Sequence, residues 1–214
     1  KATYLVQIDI VPEVVLYNRI NVALLKMAGS ISDLLNLRQS SFEKWKERAA
    51  NCHNLSVEEK ELMAKKVVYS LYQRLERDPR ERLTDMAFFH GSSYLREPDL
   101  FDRLHEMAIE DRIFVFQGNL MDSDSLNLIS STIERWNQKI SVFDLSNAWE
   151  RKYIGPNGLD LILNRLQSVF EPRSILLGSS VARCIASHLC YWNFHGFTHD
   201  RIKDKPLEQF ELAS

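Results

Sequence analysis

The sequence predicts an α/β fold, with a mostly parallel central sheet carrying helices on both faces, a C-terminal antiparallel hairpin and a helical insertion. Three observations predict it. A short β-prone run at the start of the chain ends in an acid and passes into a helical pattern. From Pro98 onward, apolar strand-like runs alternate with helical stretches, the order that a covered parallel sheet requires. Between them lies a long segment with no β pattern.

The opening run Ala2-Thr3-Tyr4-Leu5-Val6-Gln7-Ile8-Asp9 reads as a strand, and Pro12 follows where a first helical turn tolerates it. Within Glu13 to Met27, Val14, Val15, Tyr17, Ile20, Val22, Leu24 and Leu25 are dense enough for a helix packed on a sheet, with Gly29 as its stop. Residues 31–97 form the insertion. Ile31–Leu37 is one helical piece, Phe42 and Trp45 sit in a second, and a third runs from Val57 to Glu76. Ser56 and Glu59 have capping-box spacing, in which each side chain satisfies the other residue's backbone N–H.

The alternating region gives helix 98–110, strand 113–116, helix 124–137, strand 140–143, helix 159–170 and strand 174–177. After Gly178 a short helix is expected to lead to strand 189–194, which residues 198–206 join to strand 207–212 as the hairpin.

At 214 residues and 45% hydrophobic content, the chain is read as one domain over 1–214, with 31–97 inserted in it. The 27 basic and 29 acidic residues give a net charge of -2, which offers no general attraction for nucleic acid or an anionic membrane. The three cysteines, Cys52, Cys184 and Cys190, are too few for a disulfide framework and fit thiols kept reduced in a cytoplasm. No run approaches the length of a membrane span, and no signal peptide is legible. Export by a signal-independent route stays open, and so does a segment upstream of Lys1.

Three strand ends carry a resemblance. They are Val6-Gln7-Ile8-Asp9-Ile10-Val11-Pro12-Glu13, Phe116-Gln117-Gly118-Asn119-Leu120-Met121-Asp122 and Phe143-Asp144-Leu145-Ser146-Asn147. In this order they resemble the motifs after the second, third and fourth strands of class I S-adenosylmethionine-dependent methyltransferases, over about residues 1–29 and 98–214. The resemblance implies S-adenosylmethionine as cofactor. It assigns Asp9 to the ribose hydroxyls, Asn119 with Leu120 to the adenine, and Asp144 with Asn147 to proton acceptance or substrate orientation beside the methyl group. Asn119 stands where that family commonly has Asp, and the proline and aromatic of its amino-methylating branch are missing after Phe143. No Gly-rich loop precedes Asp9 among the seven glycines, so such a loop lies upstream of Lys1 or the chain is a degenerate relative.

Each residue also has a plainer role. Asp9 suits a helix cap, Asn119 a tight turn after Gly118, and Asp144 a cap or loop anchor. His90–Pro98 reads as a connector or as a substrate lid. His188, Cys190, His195 and His199 are close in sequence, but alternation on a strand sends them to opposite faces, and no metal is expected. The substrate is not legible. The alternative function is a catalytically inactive scaffold that binds a protein partner through the insertion, where Phe42, Trp45, Leu71, Tyr72 and Leu75 are the large apolar groups, unless they are core. A nucleotide hydrolase or dehydrogenase is disfavoured, because neither G-x-x-x-x-G-K-[ST] nor G-x-G-x-x-G occurs.

Overall fold

A computed structural model of the chain describes residues 3–76, 94–145, 154–186 and 189–198, with side chains as far as residue 177. It divides into two compact units, residues 1–117 and 118–214.

The first unit runs β1 (Leu5–Asp9), α1 (Pro12–Met27), α2 (Ile31–Arg38), α3 (Phe42–Asn51), α4 (Val57–Met63), α5 (Lys66–Glu76), α6 (Pro98–Ile109) and β2 (Ile113–Gln117). The two strands pair in parallel, from Leu5↔Ile113 to Asp9↔Gln117. A two-stranded sheet buries too little to stand alone, and α1 supplies the rest. Pro12 starts it, Glu13 and Lys26 complement the ends of its dipole, and every residue from Val22 to Ala28 is buried. Such a helix is enclosed on all sides. It packs on β1, β2, α2, α4, α5 and α6.

The expected helices of the insertion are present as far as the described residues reach, with local reasons for each start. Ser30 caps α2 by accepting the Asp33 N–H, and Ser41 caps α3 by accepting that of Lys44. The capping box of Ser56 and Glu59 opens α4, with both of its hydrogen bonds made. The single helix expected over Val57–Glu76 is two, because the chain tightens at Ala64 and restarts at Lys66. That break lets Met63 and Val68 both face the core. Trp45, fully buried, donates its indole N–H to the Leu37 carbonyl at 2.6 Å and meets Tyr69 and Tyr72 at ring distances of 5.0 Å. The stretch is therefore a wall of the first unit's core.

The second unit runs α7 (Ser123–Arg135), β3 (Ile140–Asp144), α8 (Gly158–Arg165), a 3-10 turn at Gln167–Val169, β4 (Phe170–Ala186) and β5 (Leu189–Thr198). Asp122 caps α7 by accepting the Ser125 N–H. At the start of α8, a Cβ on Gly158 would overlap the Ile154 side chain, so glycine permits that approach. The strands pair β3-β4-β5, the first pair parallel and the second antiparallel. Leu126, Ile162, Leu166 and Val169 are the fully buried centre of this unit's core.

Between β3 and β4 the register slips, with Ile140 opposite Phe170 but Val142 opposite Ile175. Pro172 falls in the slipped segment, where a residue without an N–H does least harm to a ladder. The Ser174 hydroxyl replaces the missing rungs. It accepts the Glu171 N–H at 2.7 Å and reaches the carbonyls of Ile140 and Glu171, donating its one proton to either.

Two expectations are corrected. The sequence predicts one central sheet, whereas the described strands pair as a two-stranded and a three-stranded sheet, because periodicity marks a strand without naming its partner. The expected helix after Gly178 is absent, and residues through Ala186 extend β4, with Gly178 itself paired to His195. Ladder bonds on the paired edge carry the chain through a glycine that looked like a stop. The hairpin accordingly turns at residues 187–188, whereas the sequence places the turn at 198–206. The expected strand 207–212 lies outside the described residues.

Replacing Trp45 with Ala empties the centre of the first unit and is expected to cost about 3–5 kcal/mol in denaturant unfolding. Ser174→Ala leaves the Glu171 N–H without its partner and is expected to cost about 1–3 kcal/mol in the same measurement.

Candidate functional site

Asp9 ends β1 opposite Gln117, half-buried, where the chain turns into α1. Its Oδ1 accepts the Val11 N–H at 2.7 Å, which closes the turn ahead of Pro12. The capping role is thus filled, by one oxygen. The other has no partner among the described residues and remains able to accept.

Asn119 builds a turn in the second unit. Its Oδ1 accepts the Met121 N–H at 2.9 Å, its own N–H meets Ser125 Oγ at 3.3 Å, and its carbonyl accepts the Asp122 N–H at 2.9 Å. Leu120 packs against the second unit's core. Asp144 is the exposed last residue of β3, opposite Leu177, and the buried Leu145 continues the ladder by donating to the Leu177 carbonyl at 2.9 Å. Asn119 directs its hydrogen bonds to its own turn and makes none to Asp144. Asn147 lies outside the described residues, as do most of His90–Pro98 and the residues from 199 on. Among the described residues, no three His, Cys, Asp or Glu side chains converge as a metal site would need.

Of the apolar groups of the insertion, Trp45 and Tyr72 are fully buried, while Phe42, Leu71 and Leu75 are half-buried. Their side chains pack the first unit before they meet anything else.

Sequence reading missed a buried polar cluster on α1, α2 and α5. Arg38, at the end of α2, is only 6% exposed. Its Nη2 donates to the Tyr94 hydroxyl at 2.7 Å and to Asn21 Oδ1 at 3.2 Å, and its Nη1 lies 3.5 Å from Glu76 Oε1. Tyr17 donates to Glu76 Oε2 at 2.8 Å and stacks on Tyr72, whose hydroxyl reaches Asn21 Oδ1 at 3.3 Å. Burial opposes the guanidinium's charge, but Tyr72, Tyr94 and Glu76 outweigh it and hold its pKa above the ordinary value. Burial also pushes the Tyr17 hydroxyl well up, with Glu76 adding to it. Tyr72 is raised chiefly by burial, against the opposing pull of Arg38.

A cavity of about 210 Å³ adjoins the cluster, and Arg38, Tyr17, Asn21 and Tyr94 form part of its wall. Two signals in the sequence point to it. Gln7 interrupts the apolar strand Leu5–Ile8, and Asn18 and Asn21 are one helical turn apart in an otherwise apolar helix.

Because Tyr17 and Tyr72 have raised pKa values in the folded state, the stability they confer as neutral phenols is complete below the unfolded value of about 10 and is lost as pH rises through the folded values. Phenolate absorbance is therefore expected to show two of the seven tyrosines ionising only together with alkaline unfolding. Full titration while circular dichroism stays native would contradict this.

A family described as a domain of unknown function (DUF7790) matches residues 1–190. No curated protein matches the chain. With most of its length matched, the chain belongs to the DUF7790 family.

Proposed function

We propose that the chain is a methyltransferase-like domain that binds S-adenosylmethionine, with Asp9 as the ribose acceptor. The observation that carries this reading is the setting of Asp9. It ends a strand paired in parallel with the next one, at the strand-to-helix turn, and keeps one carboxylate oxygen without a partner among the described residues. Open parallel sheets place ligands at the carboxyl ends of their strands, and an ionised carboxylate accepts two hydroxyls readily. The resemblance in sequence assigns the adenine to Asn119 and Leu120, and proton acceptance or substrate orientation to Asp144 and Asn147. In the second unit, the parallel pair of β3 with β4 followed by the antiparallel β5 supports the same fold type. The turn made by Asn119 occupies one lone pair of its amide oxygen and leaves a second for an adenine amine.

The test is calorimetric titration with S-adenosylmethionine and S-adenosylhomocysteine, on the chain alone and on the chain with its native upstream residues. Asp9→Asn keeps Oδ1 as the acceptor for Val11 and replaces the second oxygen with a donor, so it separates capping from ligand binding. Binding that this substitution weakens about tenfold or more, with unchanged thermal unfolding, is the expected result. Folded protein that binds neither compound in either form overturns the assignment.

A further inference from the structure

We propose that the cavity beside Arg38 is a binding site for a small uncharged molecule that carries a carbonyl or amide oxygen on an apolar body. It is a different place from the turn at Asp9. The cavity is lined by Leu5 and Gln7 of β1 and by Ile113 of β2, all from the amino-terminal parts of their strands, whereas Asp9 closes the carboxyl end.

The donors are in place and open. Arg38 is more than nine-tenths buried, and its Nε has no hydrogen-bond partner among the described residues. A buried donor without an acceptor is costly, and native interiors rarely leave one. The half-buried amides of Gln7 and Asn18 on the same wall also make no side-chain hydrogen bond among the described residues. Across from these polar groups, Leu25, Leu104 and Ile113 give the cavity apolar lining. Convergent polar groups on an apolar wall are the usual make-up of a ligand site. At about 210 Å³, the space lies below the roughly 300 Å³ where drug-sized sites begin, so the ligand is small.

Charge balance selects an uncharged ligand. Glu76 already stands 3.5 Å from the guanidinium, so the pair is neutral. A second anion would leave net negative charge in a place where unpaired charge is expensive. A carbonyl oxygen accepts from the Arg38 Nε without that cost, and the Gln7 and Asn18 amides supply both donors and acceptors for a ligand amide.

Benzamide, benzoate and benzylamine share one skeleton and differ in charge, which makes them the probes for calorimetry and thermal-shift measurements on the chain. Benzamide is expected to bind at least about tenfold more tightly than either ion. Asn18→Leu, which removes one amide and fills the space, is expected to weaken benzamide about tenfold while the protein stays folded. Glu76→Gln removes the compensating carboxylate and is expected to reverse the order in favour of benzoate. A preference for benzoate in the unaltered chain overturns the charge argument. Failure of all three probes to bind folded protein, or benzamide binding that Asn18→Leu leaves intact, overturns the site.

Discussion

Enclosure of α1 sets the terms for the first unit. A helix buried along its whole second half cannot place a polar side chain there without finding it a partner from another element. Lys26 shows the consequence. It is 4% exposed, yet its ammonium meets Glu59 at 2.8 Å and Asp111 at 2.6 Å. Burial would lower its pKa, and the hydrogen bonds from those two carboxylates outweigh burial and raise it. Glu59 also receives the backbone N–H of Ser56 in the capping box, so the start of α4 and the end of α1 are held by one carboxylate. Asp111 presents its partner oxygen from a left-handed backbone conformation, φ 52°, in the turn between α6 and β2.

The same enclosure explains why the helical stretch is no appendage. Two paired strands leave most of α1 uncovered, and α2, α4, α5 and α6 cover it. Arg48 ties this cover to the end of α1, donating to the Met27 carbonyl at 2.9 Å and to Asp33 at 2.6 Å. The aromatic groups that a partner-binding arm would offer are drawn inward by this demand. The polar cluster of Arg38, Glu76, Asn21, Tyr17 and Tyr72 follows from it too, since α2 and α5 meet α1 where its face carries Asn18 and Asn21. A cavity with open donors remains where that cover meets the sheet.

The second unit solves a different problem. Its sheet must absorb a register slip, and a fully buried serine beside Pro172 does so with backbone acceptors and a donor on both sides of the slip. Asp144 lies beyond that slip, in the segment where the regular ladder Val142↔Ile175, Phe143↔Leu176 and Asp144↔Leu177 is restored. The acid's place at a strand end depends on the repair.

The sequence by itself determined the elements whose signals are local. Ser30, Ser41, Ser56 with Glu59, and Asp122 cap the helices that follow them. Pro12 and Pro98 begin α1 and α6, and the strands 113–116 and 140–143 lie within one residue of those observed. The turn-forming roles of Asp9 and Asn119 were legible for the same reason, because each bonds a residue two positions on. Tertiary structure alone decided which strands pair, that Gly178 continues a strand, and that Trp45 and Tyr72 are core. It alone decided that Arg38, 17 residues from Asn21 and 56 from Tyr94, shares one buried cluster with both. Capping acts within one turn of chain and can be read from spacing. Strand pairing and burial of a charge depend on groups far apart in sequence, and their energy exists only once the chain has brought them together.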